Sequence, residues 1–345
     1  MRYRKIAVAT ALLASSLMVL SGCSSSGSSD SSSSSDSLSV SAPLSGQLGD
    51  KSFMDSANKG LLRAEKQLGV KVKVVQAGAD DAPAWERNLT EASASGNYGL
   101  IVTGGTVIAS TLKKVAKQFP KQRYLIFDSP SVGKNVTGIS YAQNEGAFLV
   151  GALAALITDN PKDFPRATGS KKIGVAAGMD IPVIQDFIVG FKQGAKAIDP
   201  DVTVDVRFIN DFAAAQKGYD VAMAQFKDGA DVVYQVAGAA GLGVLQAGED
   251  SGRYAIGTDS DQNALHADST PASAIKSVDN TVFNGIKSYQ AGKLKAGTTI
   301  SGDISNDGVG ITFNDKLVPT SIQDQVNALR KKVVDGDIKV DSALK

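Results

Sequence analysis

Short apolar runs alternate with amphipathic segments from about residue 39 to about residue 315, and this alternation constrains the fold more than any other feature. The predicted strands are 70–76, 99–104, 123–128, 136–141, 172–178, 202–209, 230–238 and 253–259. The predicted helices are 55–69, 106–120, 145–159, 182–199, 213–229, 241–252 and 319–336. Strands that alternate with helices of this length favour right-handed βαβ units and parallel sheets. The sequence therefore predicts an α/β protein.

The alternation makes two passes along the chain, and a polar connection at 159–172 separates them. Pro161, Pro165 and Gly169 interrupt regular structure there. We expect two doubly wound parallel-sheet lobes with a ligand cleft between them. Their expected segments are 39–160 plus about 270–300 for the first lobe, and 170–262 plus about 305–345 for the second. Because open parallel sheets bind ligands at the carboxyl ends of their strands, the strand-end residues are the candidates for a site.

The first 22 residues predict a secretory signal peptide. Arg2, Arg4 and Lys5 precede an uncharged, mostly apolar run at 6–20. This run is about 15 residues long, whereas a helix that spans a membrane needs about 20. No later segment is long and apolar enough to compete with it, so the mature protein is not expected to cross a membrane.

Cys23 follows this signal and is the only cysteine in the chain. The tetrapeptide that ends in Cys23 resembles a bacterial lipobox, which implies that Cys23 is lipidated and anchors the mature protein to the cell membrane on its extracytoplasmic face. The alternative is a residual cysteine after an ordinary signal peptide. Residues 23–38 are rich in serine and have almost no apolar side chains to bury, so they are predicted to be a flexible tether.

The charge balance argues against nucleic acid as a partner. Lys and Arg number 36 against 35 Asp and Glu, and the basic residues are scattered rather than clustered. His266 is the only histidine, so a metal cage would need carboxylates or Cys23, and neither shows ligand spacing. A Ser-His-Asp arrangement could only use His266, and no G-x-S-x-G elbow accompanies it. No Walker A sequence is present. We therefore expect no metal, no cofactor and no catalytic activity.

Two strand ends and one loop carry the candidate residues. Asp128 and Asp259 each stand where a strand ends, and Asp259 could accept two hydroxyl hydrogen bonds at once, although a turn or helix-cap role is the default for a single Asp at a strand end. The glycines of 237–243 do not have dinucleotide-binding spacing and instead indicate close backbone approach to a ligand or tight packing. Phe53 lies in the glycine-flanked loop 49–60. It could contact a ligand or act as a hydrophobic staple for the following helix.

Five segments together resemble the basic membrane protein family of substrate-binding lipoproteins, which includes purine nucleoside receptors that serve ABC transporters. The segments are 49–60, 143–155, 174–196, 229–247 and 256–262, and the resemblance covers about residues 46–315. It implies a type I periplasmic-binding-protein fold with the nucleoside held between the lobes. It also implies an ABC permease as the partner.

The resemblance assigns roles to individual residues. Phe53 and Phe212 would be the two rings that stack on the purine, and Asp128 would be the acid that binds the base. The ribose hydroxyls would be held by Asp259 and Lys276. The family's glycine-rich contact loop corresponds to Gly238, and Phe187 competes with Phe212 for the second ring, although its helical context favours core packing.

The sequence departs from the family at two positions. The family usually has an Asp at the end of its first strand, and here that place falls in 42–46, where Leu44 cannot accept a hydrogen bond. Met54 stands where the family often has Asn. These departures leave open another small polar ligand, such as a sugar or a modified nucleoside.

A cell-surface nucleoside hydrolase acting in the same cleft is the alternative from the enzyme class. A regulator with this fold would need an N-terminal DNA-binding domain where the signal and tether stand.

Overall fold

The computed structural model describes residues 37–344, and these residues fold into two six-stranded sheets covered by helices. The strands are β1 Ser39–Leu44, β2 Lys71–Gln76, β3 Leu100–Gly104, β4 Arg123–Phe127, β5 Val136–Tyr141, β6 Lys172–Ala177, β7 Thr203–Phe208, β8 Val232–Val236, β9 Tyr254–Asp259, β10 Ala272–Lys276, β11 Thr299–Gly302 and β12 Val309–Phe313. The helices are α1 Phe53–Leu68, α2 Ala82–Ala94, α3 Ala109–Gln118, α4 Gln143–Asp159, α5 Pro182–Ile198, α6 Ala215–Lys227, α7 Gly241–Asp250, α8 Val278–Gln290 and α9 Thr320–Val334.

The two sheets have the same doubly wound organisation. The first has the order β11-β5-β4-β3-β1-β2 and the second the order β12-β10-β9-β8-β6-β7. All described pairings are parallel except that of β10 with β12. The central strands β3 and β8 are buried along their whole length, as expected for strands covered by helices on both faces. The predicted α/β class with two parallel-sheet lobes is confirmed.

The predicted elements are present to within a few residues at each end. The sequence did not single out β1 or α2, and it left 260–315 without elements, whereas β10, α8, β11 and β12 lie in that range. These strands are only four or five residues long, so they carry little periodic signal.

The chain crosses between the lobes three times, and the crossings lie side by side. They follow β5, β10 and β11. The N–H of Ala142 donates to the carbonyl of Gly302 at 2.9 Å, and the N–H of Ser277 donates to the carbonyl of Gly308 at 2.9 Å. Adjacent crossings between two lobes are where a hinge is expected.

The expected lobe boundaries differ from the structure at two places. The sequence assigned 143–159 and about 270–300 to the first lobe. Helix α4 instead packs against α5, β10 and β12 of the second lobe, and β10 pairs with β9 of the second sheet. The first-lobe expectation for α4 is therefore corrected: all of its residues except Glu145 and Asp159 are buried, and the second lobe provides the surface that buries them.

Helices α4 and α5 pack at backbone contact. A Cβ on Gly190 would lie 2.0 Å from the carbonyl oxygen of Asn144, and one on Gly194 would lie 1.9 Å from that of Phe148. Only glycine permits this approach. The contact fixes α5, which carries Phe187 towards the hinge.

Within residues 37–344, no helix combines the length and the apolar character that a membrane span requires. The predicted signal peptide, Cys23 and nearly all of the predicted tether lie outside the described residues.

Candidate functional site

The loop before α1 is fixed by buried backbone hydrogen bonds to Asp50. Its carboxylate accepts from the N–H groups of Ser52 at 3.0 Å, Met54 at 2.8 Å and Asp55 at 3.0 Å. Burial raises the pKa of Asp50, and these three hydrogen bonds oppose the rise. Asp50 therefore satisfies the free N–H groups at the start of α1. This places Phe53, the first residue of the helix, in a defined position.

Phe53 is half-buried and contacts groups that come from other strand ends. Its ring centroid lies 5.4 Å from that of Phe127, with the ring planes at 55°. The ammonium of Lys276 lies 5.4 Å from the same centroid. Phe53 thus belongs to a cluster of side chains at the carboxyl ends of the strands. Its other members are Ser52, Asp128, Tyr141, Asp259 and Lys276.

The two candidate carboxylates leave their strands in the same unusual backbone conformation. Asp128 follows β4 with a φ of 58°, and Asp259 ends β9 with a φ of 67°. Left-handed backbone is uncommon for residues other than glycine, and aspartate and asparagine adopt it more readily than most. Both side chains are buried.

Lys276 connects the second sheet to the first lobe. It ends β10, and its ammonium donates to Oδ1 of Asp128 at 2.9 Å. The ammonium also lies 4.8 Å from the ring centroid of Phe187 and 5.5 Å from that of Tyr141. Aromatic faces attract a desolvated cation, so these rings hold the buried ammonium in place. The direct ion pair of Lys276 is with Asp128 rather than with Asp259.

Asp259 is buried and only half satisfied by hydrogen bonds. Its Oδ2 accepts from the hydroxyl of Ser52 at 3.0 Å, whereas its Oδ1 has no hydrogen-bond partner among the described residues. Burial raises the pKa of Asp259 to about 6; the charge of Lys276 opposes this rise, and that of Asp128 adds to it. A buried acceptor without a donor costs free energy, so Oδ1 is suited to accept a hydrogen bond from a hydroxyl of a bound molecule.

Phe212 and Gly238 lie together at the strand ends of the second lobe. A Cβ on Gly178 would lie 2.3 Å from Cε1 of Phe212, so this ring covers the end of β6. Gly238 has a φ of 55°, and a Cβ there would lie 3.3 Å from the carbonyl oxygen of Phe212. That carbonyl accepts the N–H of Ala240 at 3.0 Å, which ties the loop carrying Phe212 to the turn after β8.

Phe187 has the environment of a core residue. Only 4% of it is exposed, and it lies in α5 against the hydrophobic core. Phe212 is half-buried in a loop at the strand ends. The two phenylalanines therefore have different environments: Phe187 contacts Lys276 from the core, whereas Phe212 lies over the strand ends of the second lobe.

The departures at the first strand have structural consequences. Leu44 ends β1 in the core, and the next residue, Ser45, uses its hydroxyl to donate to the carbonyl of Gly104 at 2.6 Å. Met54 packs against Gly46, where a Cβ would lie 2.9 Å from its terminal methyl carbon. Where the family has an acid, this chain therefore has apolar packing and a hydrogen bond that joins the ends of β1 and β3.

Two residues of the cluster, Ser52 and Tyr141, had no assigned role in the sequence. A serine before a helix is usually a cap, and Tyr141 ends an apolar strand, so neither carries a distinctive signal. Within residues 37–344, no group of three or more His, Cys, Asp or Glu side chains is arranged to hold a metal ion.

Two sheets joined by three crossings, with polar and aromatic groups gathered at the strand ends, are the architecture of the periplasmic-binding-protein type I fold, which ABC solute-binding proteins have. A crystal structure of an ABC transporter solute-binding protein from Aeropyrum pernix has a TM-score of 0.81 and 26% sequence identity, and the match covers 89% of this chain and 94% of that one. A transcriptional activator of the comK gene from Bacillus halodurans shares the fold with a TM-score of 0.71, 23% identity and coverage of 87% and 98%.

The chain belongs to the family described as "ABC transporter substrate-binding protein PnrA-like", which it matches over residues 38–343. The CD4+ T-cell-stimulating antigen of Listeria innocua is 31% identical, with 99% of each chain covered. The ABC transporter nucleoside-binding protein BmpA of Lactococcus lactis is 31% identical over 99% of this chain and 100% of its own length. Basic membrane protein A1 of Borrelia garinii is 28% identical over 87% of each chain. The family assignment made from the sequence motifs is confirmed.

Proposed function

We propose that this protein binds a nucleoside with a purine base in the cleft between its lobes and delivers it to an ABC permease. A lipid on Cys23 would hold it at the extracytoplasmic face of the cell membrane. The observation that carries the proposal is the free, buried Oδ1 of Asp259, close to the ion pair of Lys276 and Asp128. This arrangement offers two acceptors and a cation to a ligand rich in hydroxyl and amino groups.

Each of the six candidate ligand-binding residues has a defined task in this proposal. Phe53 stacks on one face of the base and Phe212 on the other, and each such stack contributes about 1–3 kcal/mol. Asp128 accepts from the edge of the base, and Asp259 with Lys276 binds the vicinal ribose hydroxyls. The turn at Gly238 brings backbone close to the ligand. A ligand that contacts both lobes favours the closed form, because only that form makes all the contacts.

A sugar or a modified nucleoside is the second candidate. The observation that favours it is the first strand end, where Leu44 is in the core and the hydroxyl of Ser45 is already engaged. A ligand that lacks the group read by the family's usual acid would fit this site equally well.

Isothermal titration calorimetry with adenosine, guanosine, inosine, ribose and free purine bases separates these functions. We expect heat with at least one purine nucleoside and weak or no binding of ribose and free bases. Absence of binding to every nucleoside would reject the proposal. Because the proposed role is binding without turnover, the nucleoside should be recovered intact after long incubation.

Phe53→Ala should weaken nucleoside binding by about 1–3 kcal/mol, which is a loss of about 5- to 150-fold in affinity, because one stacking face is removed. Thermal unfolding of the ligand-free variant should change little, since the ring is only half-buried. Phe119→Ala is the matched control: Phe119 is also half-buried but lies just after α3, at the opposite end of the first sheet from the cleft. Equal affinities for the two variants would show that Phe53 is not a stacking residue.

A further inference from the structure

Ser52 occupies the position before α1 where a serine normally caps the helix, yet its side chain makes no cap. Asp50 accepts the N–H groups of Met54 and Asp55 instead. The hydroxyl of Ser52 is completely buried and is free for another task.

That hydroxyl points across the cleft to the second lobe. It lies 2.9 Å from the carbonyl oxygen of Thr258 and 3.0 Å from Oδ2 of Asp259, and it shares its one proton between them. A hydrogen bond also runs in the reverse direction: the hydroxyl of Ser260, in the second lobe, donates to the carbonyl of Ser52 at 3.0 Å. Gln262 Nε2 adds a bond to the carbonyl of Lys51 at 3.1 Å.

These four hydrogen bonds between residues 51–52 and 258–262 form a contact that we call the cross-lobe clasp. Because its two sides belong to different lobes, the clasp exists only when the cleft is closed. Three of its bonds use backbone carbonyls as acceptors. The bond from Ser52 to Asp259 is the one that reaches a candidate ligand-binding side chain.

We propose that Ser52 is a positioning residue that orients the carboxylate of Asp259 on closure, so that closing the cleft and recognising the ligand's vicinal hydroxyls become one event. The inference rests on the nucleoside-binding function proposed above. Ser52 holds Oδ2 and thereby directs the free Oδ1 to the ligand. Its donated hydrogen bond also favours the charged form of the carboxylate, and so lowers the pKa that burial has raised.

The test compares two serine-to-alanine variants that each remove one hydroxyl from the clasp. Ser52→Ala removes the bond to Asp259 together with the bond to the carbonyl of Thr258, whereas Ser260→Ala removes only a bond to a backbone carbonyl. Each variant is titrated with the purine nucleoside that the wild type binds most tightly among adenosine, guanosine and inosine. It is then titrated with the 2′,3′-dideoxy form of the same nucleoside.

The readout is the ratio of the two affinities, because a purely structural role would change both affinities equally. A hydrogen bond to a charged group is worth more than one to a neutral carbonyl, so Ser52→Ala should reduce the preference for the hydroxylated nucleoside by about tenfold. Ser260→Ala should weaken both ligands by the same factor, about two- to tenfold, and leave the ratio unchanged.

The possible failures are distinguishable. If the wild type binds a nucleoside and Ser52→Ala keeps the wild-type ratio, the positioning role is wrong and the proposed function stands. If both variants reduce the ratio equally, the effect belongs to closure in general and the assignment to Ser52 is also wrong. If the wild type binds no nucleoside, the proposed function fails, and this inference fails with it.

Discussion

Lys276→Met should lower nucleoside affinity by more than about 100-fold, which corresponds to about 3 kcal/mol or more. The methionine keeps the length of the side chain but removes the ammonium that pairs with Asp128 at 2.9 Å and that would donate to the sugar. Both partners of this ion pair are more than nine-tenths buried. Loss of one partner leaves a buried carboxylate without its counterion, and such losses are among the costliest single changes.

The same variant should favour the open form of the ligand-free protein, because opening returns Asp128 to water. Small-angle X-ray scattering would report this as a larger radius of gyration. Lys114→Met is the matched control, since Lys114 pairs with Glu86 on the exposed surface of the first lobe at 2.6 Å. Exposed ion pairs contribute little, so both measurements should stay at wild-type values in the control. Nucleoside affinity within twofold of wild type in Lys276→Met would remove the lysine from the site.

Asp259→Asn should weaken nucleoside binding by about 10- to 100-fold and should not weaken the binding of the 2′,3′-dideoxy form. The amide loses the charge that strengthens hydrogen bonds from hydroxyl groups. Asparagine tolerates the left-handed backbone at this position, so the turn after β9 should survive the change. An equal loss for both ligands would contradict a role of Asp259 at the sugar.

The ligand-free Asp259→Asn variant should shift towards the closed form, in the direction opposite to Lys276→Met. In the closed cleft the wild-type carboxylate is buried, and burial raises its pKa to about 6, so above that pH the charged form disfavours closure. The neutral amide removes this cost. We expect a smaller radius of gyration than wild type at pH 7.5, and a reduced difference at pH 4.5, where Asp259 itself is neutral in the closed form.

Wild-type affinity should fall as the pH is lowered through about 6. Ribose hydroxyls donate to the charged form of Asp259, so a ligand that binds this form loses affinity when the carboxyl is protonated. At pH 5 the loss should be about tenfold relative to pH 7.5. Asp259→Asn should show no such dependence. A slope that persists in the variant would assign the titration to another group, such as Asp50, whose pKa burial also raises.

Lys276→Met and Asp259→Asn are expected to shift the ligand-free protein in opposite directions, and this opposition explains how closure can depend on the ligand. Lys276 joins the lobes through Asp128 and favours the closed form. Asp259 carries a buried oxygen without a donor and opposes that form. A ligand whose hydroxyl groups donate to this oxygen removes the free-energy cost of burying it, and so makes closure favourable. Such a ligand binds the closed form more tightly than the open form, as a population shift requires.

The sequence was most informative where burial is periodic. Parallel strands that are buried on both faces appear as continuous apolar runs, so β3, β4, β8 and β9 could be predicted to within a residue or two. The prediction failed in 260–315, where β10 to β12 are short and belong alternately to the two sheets. β11 pairs with β5 from the first half of the chain, whereas β10 and β12 pair within the second sheet, so no local pattern reveals which lobe each strand completes.

For the site, the sequence by itself placed Asp128 and Asp259 at strand ends, and the family motifs added Phe53, Phe212, Gly238 and Lys276. Only the tertiary structure decided which of these groups meet. It paired Lys276 with Asp128 and gave the capping of α1 to Asp50. It also turned the hydroxyl of Ser52 across the cleft to Asp259, which lies 207 positions further along the chain. Composition and local order determine strands and helices through the burial of neighbouring residues, whereas a contact over such a separation exists only after both lobes have folded and closed.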